Sequence, residues 1–101
     1  DLGLPVTVPN SEPVWHLYVV RTRDPAALAG FLRDRGIGTA RHYPETVHLA
    51  GAYRELGYVP GAFPVAERLA REILSLPMFP GISEEQLEAV GDAIEEFFAR
   101  G

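Results

Sequence analysis

The spacing of apolar and polar residues changes several times along this chain, and each change predicts an element. Val14-Trp15-His16-Leu17-Tyr18-Val19-Val20-Arg21 is apolar at nearly every position and rich in β-branched and aromatic residues. Such a run predicts a strand buried on both faces and central in its sheet. Asp24-Pro25 supplies an N-cap and a first-turn proline, after which Ala27, Leu28, Phe31 and Leu32 repeat on one helical face. Gly36 stops that helix, with Ile37 placed to fold back onto Leu32. Gly38 to Tyr43 reads as a second strand, closed by Pro44, which has no backbone donor to give a ladder. Leu49, Ala52, Tyr53 and Leu56 predict a short helix over residues 47–56 with Gly57 as its stop, and Val65, Leu69, Ala70 and Ile73 predict another over 63–73. Leu74 to Met78, bounded by Pro77 and Pro80, predicts a third strand at a sheet edge. In the last helix Ser83 is the cap, Gln86 completes a capping box and Ile82 can staple against Leu87. Leu87, Val90, Ile94, Phe97 and Phe98 form its buried stripe.

These elements predict an α+β fold: a small antiparallel or mixed sheet of about three strands with helices packed on one face. Residues 1–13 carry three prolines and no periodicity, so they read as an extended connector, leaving residues 14–101 as one domain. With 101 residues and 47% apolar content, the chain has one core and room for little more than one site. It begins at Asp1 rather than methionine, which leads us to expect a piece of a longer polypeptide. No apolar run approaches the roughly 20 residues that span a bilayer, and the absence of cysteine excludes disulfides and thiolate chemistry. A soluble, cytoplasmic protein without a membrane partner is expected. A net charge of -5 provides no basic stripe for phosphate backbones, so no nucleic-acid role is expected.

Candidate chemistry gathers in Arg41-His42-Tyr43-Pro44-Glu45-Thr46-Val47-His48, where the second strand should run into a loop. Arg41 is the best anion candidate, because its planar fork suits phosphate or carboxylate; an ordinary surface ion pair is the competing reading. Strand alternation places Arg41 and Tyr43 on one face and His42 on the other. His42 and His48 stand six positions apart, which is not the spacing of a helical metal pair. No metal site is expected, and the plain reading is that both imidazoles bond loop backbone. His16 reads as a core histidine, Trp15 and Tyr18 as core aromatics, and Glu67, Arg68, Arg71 and Glu72 as a solvated helix face. No catalytic triad, paired carboxylates or phosphate-cradling glycine loop stands out. All nine basic residues are arginine.

Three segments carry a resemblance across practically the whole chain. Gly36-Ile37-Gly38-Thr39 with His42-Tyr43-Pro44 and His48, Ala52-Tyr53-Arg54-Glu55-Leu56-Gly57, and Phe63-Pro64-Val65-Ala66-Glu67 together resemble the C-terminal domain of the DegT/DnrJ/EryC1/StrS aminotransferases. These are pyridoxal-phosphate enzymes that aminate keto-sugar nucleotides. Thr46 stands where the family often has a second proline, and Arg41 is bulkier than is usual there. The resemblance implies the small domain of a fold-type-I aminotransferase, packed on a missing N-terminal domain that holds pyridoxal phosphate, in an enzyme that is usually a homodimer. Glutamate would commonly donate the nitrogen. Arg41, His42, Tyr43 and His48 would be substrate-binding residues at the nucleotide-sugar end of the site, none of them catalytic. Because this cofactor rests as a Schiff base on a lysine, a chain without lysine binds no cofactor by itself. The alternative is a free-standing, non-catalytic α+β module that binds a nucleotide sugar or a protein partner.

Overall fold

A computed structural model describes residues 1–100. In chain order it contains β1 (Leu2–Gly3), β2 (Tyr18–Thr22), α1 (Pro25–Arg33), two 3-10 helices (Val47–Leu49 and Gly51–Leu56), α2 (Pro64–Glu72), β3 (Ile73–Leu76) and α3 (Glu84–Ala99). The three strands form one antiparallel sheet in the order β1-β2-β3, so β2 is central as predicted and β3 lies at an edge.

The register decides what each sheet face does. Val20 pairs with Leu74 and Val19 with Ser75, and strand alternation sends the two pairs to opposite faces. Val20 and Leu74 pack with Leu28 and Leu32 of α1 and Ala93 and Ile94 of α3 in the core. The two helices therefore cover one face, and the other supports the site. Local chemistry sets their ends. Asp24 caps α1 by accepting from the Ala27 amide at 2.9 Å. At the other end Gly36, at φ +76°, lets Ile37 and its own amide bond back to Leu32 and Arg33, the left-handed stop its sequence predicts. Both halves of the Ser83–Gln86 capping box form on α3. Arg35 locks α1 to α3: its guanidinium lies 3.5 Å from the Phe31 ring centroid and bonds Glu96 at 2.5 Å.

Several expectations change. The predicted strand over 14–21 begins only at Tyr18, and Val14, Trp15 and His16 are exposed. Tyr18 already faces Leu76, the last residue of β3, and Pro77 beyond it has no donor, so residues 14–17 lack a strand to pair with. His16 is thus not a core histidine, and Trp15 leans on Tyr18 from outside, ring centroids 5.1 Å apart. β2 is buried on one face only, with Arg21 exposed and bonded to Glu72 of α2 at 2.7 Å. The predicted second strand shrinks to one bridge, Ala40 with Ser75. The third strand comes instead from the predicted connector, where Leu2 and Gly3 pair with Thr22 and Arg21 and Leu2 packs against the core. Residues 47–56 form two exposed 3-10 helices rather than one helix, with Ala50 extended between them. The apolar face of this segment is narrow, with Leu49, Tyr53 and Leu56 37–64% exposed, and so little burial does not hold a continuous α-helix.

Candidate functional site

On the sheet face turned away from α1 and α3, residues 42–63 fold against α2 and leave an open cleft of about 670 Å³. Its walls carry His42, Tyr43, His48, Tyr53, Tyr58 and Phe63, and Leu69 and Ile73 contribute apolar surface from α2 and β3. Ser75 anchors one side. Its backbone bonds Ala40 in both directions, at 2.7 and 3.1 Å, and its buried hydroxyl shares a 2.8 Å hydrogen bond with His42 Nδ1. The imidazole is therefore held by a strand rather than by its own loop. Tyr43 is 70% exposed at the cleft, its ring edge-on to His42 at 5.4 Å.

Three of the four predicted site residues, His42, Tyr43 and His48, line this cleft; Arg41 does not. Arg41 is half-buried and donates from Nη2 to the Ala70 carbonyl. That carbonyl is in the last turn of α2, where a cation complements the helix dipole and satisfies an orphan acceptor. The alternation expected of a strand fails here because the ladder ends at Ala40, and the neighbours His42 and Tyr43 both reach the cleft. Neither cleft imidazole bonds loop backbone: His42 meets Ser75, and His48 meets Glu67.

Glu67 is the residue the sequence reading misplaced. Expected on a solvated face, its side chain is only 10% exposed. Its Oε1 accepts from the Gly61 amide at 2.7 Å and its Oε2 from the Phe63 amide at 3.0 Å, with His48 Nε2 3.3 Å from Oε2. A glycine loop leading to Phe63-Pro64 and a carboxylate one turn later was the available signal, since such an acid can reach back to amides at the helix entrance. The Gly61 amide lowers the Glu67 pKa most, burial opposes this, and the Phe63 amide and His48 lower it further. A lowered folded-state value stabilises the chain above the ordinary value of 4.5, and that contribution is lost as pH falls through the folded value. The melting temperature of the chain should therefore drop more steeply as the pH falls below 4.5 than that of Glu67→Gln, which has nothing to titrate there. Parallel melting curves from the two proteins would show that Glu67 carries no such linkage.

The cleft does not fit pyridoxal phosphate by itself. The chain has no lysine for a Schiff base, and no arginine lines the walls to hold a phosphate. Among the described residues no cluster of three histidine or acidic side chains could hold a metal ion. No helix among the described residues is long and apolar enough to cross a membrane.

A solved structure, Streptomyces venezuelae DesV in complex with a ketimine intermediate, matches with a TM-score of 0.91 at 46% identity, covering 95% of this chain and 26% of that one. The architecture is thus that of part of a fold-type-I aminotransferase. Residues 2–95 match the model of the DegT/DnrJ/EryC1/StrS aminotransferase family, and the chain belongs to that family. It is 46% identical over 99 residues to a dTDP-3-amino-3,4,6-trideoxy-alpha-D-glucose transaminase of Streptomyces venezuelae, covering 98% of this chain and 26% of the relative. It is 48% identical over 89 residues to the erythromycin biosynthesis sensory transduction protein EryC1 of Saccharopolyspora erythraea, covering 88% of this chain and 24% of that protein. The chain thus spans about a quarter of the length of these relatives.

Proposed function

We propose that this chain is the C-terminal small domain of an aminotransferase that passes an amino group, with glutamate as donor, to a keto-sugar nucleotide in amino-sugar biosynthesis. The observation that carries this reading is the aromatic cleft around His42 and Tyr43, built on the sheet face left free by α1 and α3. Tyr43, Val47, Leu56, Tyr58 and Phe63 leave its rim broadly apolar and exposed. Contiguous apolar surface of this kind is covered in a working protein. The radius of gyration points the same way: 15.7 Å, against about 13 Å for a self-contained domain of about 100 residues. Both features argue against a free-standing module.

In this reading residues 14–101 form the body of the domain and 1–13 its connector, docked at the sheet edge through Leu2–Gly3. An N-terminal domain supplies the lysine and holds pyridoxal phosphate, and the complete enzyme is a cytoplasmic homodimer. Within this chain His42, Tyr43 and His48 face the nucleotide sugar, and Arg41 shapes the same loop by holding the end of α2.

The test is turnover by the natural full-length polypeptide, with glutamate as donor and a dTDP-linked keto sugar as acceptor, read by mass spectrometry as formation of the amino sugar. Amino sugar formed by the full-length protein, and no nucleotide-sugar binding by the 101-residue chain alone, is the expected result. Tight binding by the short chain without any transfer by the long one would favour the free-standing module.

A further inference from the structure

We propose that Glu67 is a positioning residue for the substrate wall: its carboxylate holds His48, Tyr58 and Phe63 together as one rigid aromatic face of the cleft. This rests on the aminotransferase reading for the identity of the substrate, a nucleotide sugar. Among the described residues Glu67 is the one charged side chain in the buried set. A buried carboxylate is unfavourable unless hydrogen-bonded, and both oxygens of this one are engaged.

What they hold is the loop from Gly57 to Phe63. Apart from Glu67, the amides of that segment bond only locally, Gly57 to Arg54 and Ala62 to Val59. The Gly61 and Phe63 amides are thus the points at which α2 grips the loop. The grip extends through ring contacts. His48 and Phe63 meet edge-on with centroids 4.8 Å apart, Tyr58 and Phe63 at 5.3 Å, and His48 and Tyr58 at 6.0 Å. Glu67 reaches two corners of this triangle, Phe63 through its backbone amide and His48 through a 3.3 Å approach of its Nε2 that is not a formed hydrogen bond, and Tyr58, half exposed, leans on both rings. All three rings line the cleft. Glu67 itself is absent from that lining and borders instead a smaller depression with Pro44, Pro60 and Arg71, so its reach into the cleft runs through these rings.

The experiment uses the full-length polypeptide with Glu67→Ala and the nearly isosteric Glu67→Gln, and with Glu72→Gln, a carboxylate of the same helix outside the cleft, as control. Hydrogen exchange by mass spectrometry reads the loop at residues 57–63. Steady-state kinetics reads KM for the keto-sugar nucleotide, and the reaction with glutamate alone reads the half of turnover that needs no sugar. Glu67→Ala should speed exchange in the loop and raise KM for the sugar nucleotide about tenfold or more, the scale of a lost charge-assisted hydrogen bond. The glutamate half should be unchanged, where a loss of overall structure would slow both. Glu67→Gln keeps an acceptor for one of the two amides and should move the same readouts less, with its fold intact. Unchanged loop protection, or a loosened loop with unchanged KM, overturns the proposal while leaving the aminotransferase reading in place. A wild-type enzyme that turns over no keto-sugar nucleotide overturns that reading and removes this role with it.

Discussion

Replacing Leu28 by alanine is expected to lower the unfolding free energy of the chain by about 3 kcal/mol, read as a fall in the urea midpoint at unchanged m. Leu28 and Leu32 are both fully buried, one turn apart on α1, against Val20 and Leu74 of the sheet and Ala93 and Ile94 of α3. Burying such a leucine is worth about 1.5–3 kcal/mol in transfer, and the cavity left by truncation adds to the loss because α1 is tied at both ends and cannot settle into it. Those ties are the Asp24 cap and the contacts of Arg35 with Phe31 and Glu96. Against a total of about 5–15 kcal/mol for a folded domain, the change is large. Leu87→Ala is the internal comparison: Leu87 belongs to the same predicted class of stripe residue but is 49% exposed, and its loss should stay below about 1 kcal/mol. Equal losses at the two positions would mean that the core does not lie between α1, α3 and the sheet.

The buried face of α1 and the ends of α1 and α3 were legible because their signals are local, whereas the predicted stripe of α3 holds only in part: Leu87 is exposed and Ala93, outside the stripe, is buried. Asp24-Pro25, Gly36 and the Ser83–Gln86 pair act within one or two turns, and leucine spacing on α1 needs no knowledge of the rest of the fold. What escaped was decided by distant partners. Leu2–Gly3 becomes a strand only because Arg21 and Thr22 offer an open edge, and residues 14–17 fail to extend β2 because β3 stops at Leu76. Glu67 is a different kind of miss: its partners, the Gly61 and Phe63 amides, are only six and four residues away, but a carboxylate one turn into a helix looks the same whether it faces solvent or reaches back to the helix entrance. Arg41 is the converse case. Its chemistry suits an anion, but the free end of α2 claims it first.

These particulars describe a sheet with divided duties. Val20 and Leu74 build stability on one face, and the same two strands turn Val19 and Ser75 to the other. The site therefore hangs from β3 and α2 through a few polar links, Ser75 to His42, Arg41 to Ala70 and Glu67 to the loop. Its aromatic walls have little other support from the described residues. Such a cleft loses its shape when a link is cut, with little expected cost to the core on the opposite face.

His42 is where the largest effect on function is expected. On the proposed aminotransferase reading, His42→Ala in the full-length polypeptide should lower kcat/KM for the keto-sugar nucleotide about 10–100-fold, the range for removing one good hydrogen bond to a charged or polarised group. Ser75→Ala should act in the same direction but less, because it removes no backbone bond and leaves the imidazole present, free to turn away from its 2.8 Å contact. The informative measurement is the double variant. If Ser75 works by orienting the ring, Ser75→Ala adds nothing once His42 is alanine, and the two losses are far from additive. Additive losses would mean that Ser75 serves the sheet rather than the histidine. A His42→Ala enzyme within about twofold of wild type would move the nucleotide sugar away from this cleft altogether.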